Sequence, residues 1–105
     1  MQKFSDVLLE IDAANEVKDI ALFESNGEPA GVIHNKPGSA GSVKVYYHLY
    51  KQFGSINVDA ALEGLSLFSE HTQDAEDNPG KHPNIDRLFN VIENKKPLTV
   101  KVALA

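Results

Sequence analysis

The dipeptide Asn26-Gly27 constrains this chain more than any other feature. It stands between two runs of strand-forming residues, Val17-Lys18-Asp19-Ile20-Ala21-Leu22-Phe23-Glu24 and Ala30-Gly31-Val32-Ile33-His34-Asn35. Both turn residues tolerate the positive φ that a tight hairpin demands, so the spacing predicts two antiparallel strands joined by a two-residue loop. Such a loop fixes the register with Ser25 facing Glu28. Ile20 and Leu22 then face Ile33 and Gly31 on one side, while Ala21 and Phe23 face Val32 and Ala30 on the other. Asp19 meets His34, a cross-strand pair that favours the imidazolium and contributes at most about 1 kcal/mol.

Helical periodicity fills most of the remaining chain. Phe4, Val7, Leu8 and Ile11 make a short amphipathic helix at the N-terminus. Val43, Tyr46, Tyr47, Tyr50 and Phe53 trace a second stripe with an aromatic core face, ended by Gly54 where a left-handed cap is favoured. Asn57 caps a third helix whose stripe runs Val58, Ala61, Leu62, Leu65, Phe68 and Thr72. A second line on it, Ala60, Gly64, Leu67 and His71, contains a glycine that costs a helix interior about 1 kcal/mol. That glycine predicts close approach of another backbone and a helix covered on two sides. After Asn78-Pro79-Gly80, Pro83 or Asn84 starts a further helix with Ile85, Leu88, Phe89 and Ile92 inward, and Lys95 and Lys96 suit its C-terminus. Leu98 to Leu104 alternates with period two and places four aliphatic residues on one face of a last strand.

The expected class is therefore α+β: the hairpin and the C-terminal strand form a small antiparallel or mixed three-stranded sheet, packed against about four helices. With 105 residues, 42% hydrophobic and 24% charged, the chain has material for one core and reads as a single domain, 1–105. Ten Lys and Arg against fifteen Asp and Glu give a net charge of −5, which argues against nucleic acid or an anionic membrane as partner. The absence of cysteine removes disulfides, thiolate metal sites and thiol nucleophiles, and it fits a reducing compartment. Apolar runs are short and no basic-then-apolar leader is recognisable, so a cytoplasmic location is expected.

Two glycine-containing segments carry the chemistry that can be read. Asn35-Lys36-Pro37-Gly38-Ser39-Ala40-Gly41-Ser42 leaves a strand and enters a helix with little side-chain bulk. The N–H groups of a first helical turn, the hydroxyls of Ser39 and Ser42, backbone bared at Gly38 and Gly41, and the charge of Lys36 together suit a phosphate or carboxylate. The spacing is not that of a nucleotide-hydrolase phosphate loop, whose glycines have four residues between them and precede the lysine. Gly38-Ser39-Ala40-Gly41 fits the glycine-x-x-glycine loop of one RNA-binding fold, but that loop joins two helices. The bland alternative is a serine-capped helix after a flexible turn. Pro79-Gly80-Lys81-His82-Pro83-Asn84 also precedes a helix and carries the cations Lys81 and His82. If both segments face one end of the sheet, they focus positive potential in a single hollow of an acidic molecule.

Glu70 to Asp77 is the most acidic stretch and stands where a long helix should end, against its macrodipole. Either the helix stops early, or a cation such as Lys81 or Arg87 offsets the charge. His71, Asp74, Glu70 and His82 could in principle meet a divalent ion, but no recognised zinc spacing is present and no metal or cofactor is expected. No nucleophile elbow is found, and His48 reads as a partly buried structural residue.

In Asn35 to Ser42, Phe53 to Asn57, Glu63 to Leu65, Glu70 to Thr72 and Pro79 to Asp86, the chain resembles a family of small bacterial proteins of about this length whose function is not established. The resemblance implies a free-standing bacterial cytoplasmic domain and brings no activity, cofactor or catalytic residue. Three roles follow from the residues. The favoured one is a non-catalytic module that binds an anionic group at the two glycine segments. The others are an acidic partner of a basic protein, of immunity or antitoxin type, using residues 70–77 or an exposed sheet edge, and a small enzyme acting on a phosphorylated substrate through Lys36 and His82.

Overall fold

The computed structural model describes residues 2–105. Its elements run α1 (Phe4–Glu10), β1 (Val17–Phe23), β2 (Pro29–His34), α2 (Ala40–Phe53), α3 (Val58–Leu67), α4 (Glu70–Asp77), α5 (Pro83–Asn94) and β3 (Thr99–Leu104). The sheet is antiparallel throughout, in the order β2-β1-β3, so the fold is α+β as expected, with five helices where about four were predicted.

The hairpin forms with a different turn. Glu24 N–H donates to the Glu28 carbonyl at 2.8 Å and Gly27 N–H to the Glu24 carbonyl at 2.8 Å, which leaves Ser25, Asn26 and Gly27 as a three-residue loop. Gly27 takes a φ of 91°, whereas Asn26 is not in the left-handed region; its Oδ1 accepts the Glu28 N–H at 3.0 Å instead. A three-residue loop displaces the register by one. A bulge restores it: Phe23 pairs with Pro29, Ala30 stands unpaired, and Leu22 meets Gly31. The two offsets cancel, so Asp19–His34, Ile20–Ile33, Ala21–Val32 and Leu22–Gly31 pair as predicted, while Ser25–Glu28 and Phe23–Ala30 do not.

The bulge has a partner in the helical layer. Arg87 of α5 donates through Nε to the carbonyl of the bulged Ala30 at 3.3 Å. A Cβ on Gly31 would lie 2.5 Å from its Nη2, so any larger residue there would displace the guanidinium. The same group reaches Asn84 Oδ1 at 2.9 Å and the Tyr46 hydroxyl at 3.3 Å. Arg87 is thus occupied structurally and does not offset the acidic stretch.

Ile20, Leu22, Ile33 and Val100 present the sheet's apolar face to the helices. Leu104 is 62% exposed, so β3 contributes fewer aliphatic residues to the core than its alternation promised. In α2 the buried side chains are Val43, Val45, Tyr46 and Leu49; Tyr46 is the one aromatic residue fully inside. Gly54 ends that helix with φ 78°, as predicted. Asn57 caps α3, its Oδ1 accepting the Ala60 N–H at 2.8 Å.

The third predicted helix is broken. Ser69 adopts φ 54° and separates α3 from α4, where a continuous run to Thr72 was expected. The break makes Glu70 a first-turn residue of α4, where negative charge is favoured, while Asp74, Glu76 and Asp77 stay at the C-terminal end of α4. Within α3 the buried line is Ala60, Ala61 and Gly64, and Leu62 is 53% exposed. A Cβ on Gly64 would stand 2.7 Å from Leu88 Cδ1 and 3.0 Å from Leu49 Cδ1, so side chains of α5 and α2, rather than a backbone, claim the space.

Candidate functional site

One buried hydroxyl brings the two glycine segments together. Tyr46 is four residues after Ser42 on α2, and its hydroxyl donates to the Asn84 carbonyl in the first turn of α5. Burial pushes the Tyr46 phenol up to about 12, so it stays a neutral donor at ordinary pH. The tether sets the first turn of α2 beside the first turn of α5. Between them opens a cleft of about 410 Å³, lined by Gly38, Gly41 and Ser42 from one segment and Lys81, His82 and Asn84 from the other.

The backbone donors at this cleft can be counted. At the α2 entrance, Ser39 and Ala40 N–H both donate to the Lys36 carbonyl, at 3.0 and 2.9 Å. At the α5 entrance, Pro83 has no N–H, and Ile85 and Asp86 donate to the His82 carbonyl at 3.0 and 2.9 Å. Gly41, Ser42 and Asn84 are left with no protein acceptor for their N–H groups among the described residues, and all three line the cleft. Neither helix has a side-chain cap.

The predicted site residues divide. Gly38, Gly41, Ser42, Lys81 and His82 line the cleft; Lys36 and Ser39 do not. Lys36 contributes its carbonyl to the turn. The Ser39 hydroxyl donates back to the His34 carbonyl, and its side chain does not cap α2. Gly41 is bare for a different reason than expected: a Cβ there would lie 3.0 Å from the Phe4 ring, which packs against it. Gly38, at φ 96°, has open space around it.

Lys81 and His82 share one carboxylate partner. Asp74 Oδ2 lies 2.6 Å from His82 Nε2 and 3.0 Å from Lys81 Nζ. These contacts, His82 foremost, hold the Asp74 carboxyl down at about 2. Glu70 is likewise committed, accepting the Phe4 N–H at 2.7 Å, and that bond holds its carboxyl below the usual range. Among the described residues no group of three or more His, Asp or Glu side chains is placed to hold a metal ion. Among the described residues no helix is long and apolar enough to cross a membrane.

The sequence reading missed the wall of the cleft. Phe4 stacks on Phe68 with centroids 5.3 Å apart and meets the edge of His71 at 5.1 Å; His71 lies 5.6 Å from His82. The helix break at Ser69 and the docking of α1 make this wall. The acidic run at a helix end was the only signal of it.

Fold and site together define a small α+β domain with a ligand-sized hollow between two helix entrances. Over residues 4–102 the chain matches the family described as an uncharacterised protein conserved in bacteria (DUF2322), and it belongs to that family. No curated protein and no solved structure matches it.

Proposed function

We propose that this protein is a binding module for a small molecule bearing a phosphate or carboxylate group, received at the cleft between the α2 and α5 entrances. The observation that carries the reading is that three N–H groups with no protein acceptor among the described residues, those of Gly41, Ser42 and Asn84, belong to residues lining one hollow. Helix N-termini favour negative charge through both their free donors and their dipoles. Lys81 and His82 stand at the same cleft, and Asp74 fixes their positions. A volume of about 410 Å³ lies within the range of small-molecule pockets.

Titration of the folded protein with inorganic phosphate, followed by backbone amide shifts, tests this. The Gly38, Gly41, Ser42 and Asn84 amides respond together and saturate with one affinity. Silence at those four, or shifts scattered over unrelated lysines, would falsify the reading.

A further inference from the structure

We infer that the anionic group is carried on a flat aromatic or heteroaromatic body, an inference that rests on the anion reading above and names its ligand class. The charge of the site is insufficient by itself. Asp74 sits within hydrogen-bond reach of both the Lys81 ammonium and the His82 ring, so an incoming anion shares Lys81 and His82 with a carboxylate already in place. Such groups orient a ligand more than they hold it.

The remaining affinity has a visible source. Phe68, Phe4, His71 and His82 follow one another with centroid separations of 5.3, 5.1 and 5.6 Å, inside the range in which aromatic rings attract. Phe4, His71 and His82 are the partly exposed rings of this wall, Phe68 backs Phe4 from the core at 2% exposure, and Leu8 and Ile85 complete the apolar side. His71 is half-buried and its ring makes no hydrogen bond within the described residues, so it can meet a planar ligand by its face and a ring heteroatom by its edge. A sugar or glycerol body would leave this wall unused. A planar body covers it while its anionic substituent reaches the Gly41, Ser42 and Asn84 donors.

The decisive comparison is between phenyl phosphate, glycerol 3-phosphate and inorganic phosphate, titrated into the intact protein at matched pH and ionic strength with amide and aromatic resonances observed. Phenyl phosphate binds at least about tenfold more tightly than glycerol 3-phosphate, a factor equivalent to about 1.4 kcal/mol, and produces ring-current shifts at Phe4 and His71. Equal affinities overturn the aromatic inference and leave the anion reading standing. No response at Gly41, Ser42 and Asn84 to any of the three overturns both. Phe4→Ala risks the docking of α1, so His71→Ala is the variant of choice. With its amide spectrum showing a folded chain, it loses most of the preference for phenyl phosphate and keeps its affinity for glycerol 3-phosphate. Full retention of the preference rules out the wall as its source.

Discussion

The α2 and α5 entrances look alike in sequence, each a Pro-Gly pair a few residues before a helix, yet they are built in opposite ways. At α2 the backbone is bare and uncharged: Lys36 and Ser39 turn away, and the absent side chain of Gly41 makes room for Phe4. At α5 the entrance is charged and crowded. Lys81 and His82 are bound to Asp74, and the Gly80 N–H donates to Asp86 Oδ2 at 3.0 Å. One entrance supplies donors, and the other supplies a lysine and a histidine already satisfied from within. Identical turn punctuation therefore says where a helix begins and nothing about what its first turn offers.

The sharpest way to break this arrangement is at the point where the two entrances are joined. Tyr46→Phe removes the hydroxyl that Asn84 accepts and Arg87 approaches, and equilibrium urea unfolding should register a loss of about 1–3 kcal/mol. The same variant weakens the phosphate response on both sides of the cleft. Gly41→Leu drives a side chain into the Phe4 ring; it costs about 1–3 kcal/mol by overpacking and releases the α1 contacts, read by denaturation together with the Phe4 and Phe68 aromatic resonances.

Gly38→Ala and Gly80→Ala test the likeness instead of the difference. Both glycines have positive φ, 96° and 92°, with open space where a Cβ would go. Each substitution costs about 1–2 kcal/mol, and the two agree closely, because backbone conformation alone is being measured. A large disparity would show that one turn has lateral contacts that matter.

Acid titration separates the entrances by charge. The Asp74 carboxyl titrates at about 2 in the folded chain, below its ordinary 3.8, so the stability it contributes is complete above the ordinary value and is lost as pH falls through about 2. Asp74→Asn should flatten the stability profile between about pH 4 and pH 2, with Glu70, also depressed, keeping a residual slope of the same sign. An unchanged slope would mean the Asp74 contacts do not persist in solution. The smallest effect concerns the lysines: Lys81→Ala weakens phosphate binding by a factor of a few, as one exposed charge does, whereas Lys36→Ala leaves it unchanged.

Much of the fold was legible because it follows from local chemistry. The Asn26-Gly27 turn, the Gly54 and Asn57 caps and the Pro83 helix start each act within a few residues. The loop length was misread because the Asn26 side chain takes the Glu28 N–H, a choice that sequence spacing does not display. The break at Ser69 was legible only as an electrostatic discomfort at Glu70 to Asp77. The meeting of the two glycine segments was foreseen as a condition. The device that brings it about, a Tyr46 hydroxyl on the Asn84 carbonyl, joins residues 38 apart and leaves no trace in periodicity. For the same reason Phe4, 64 residues from Phe68, could not be placed at the cleft from composition or pattern.

The unpaired Ala30 reaches further than the sheet it interrupts. Its carbonyl anchors the guanidinium that also meets Asn84 and Tyr46, the two residues clasping the helix starts. Shortening the Ser25-Asn26-Gly27 turn by one residue would let the strands run flush and remove that anchor, so a deletion in the hairpin loop would be felt as looseness in the hollow beside the α5 entrance.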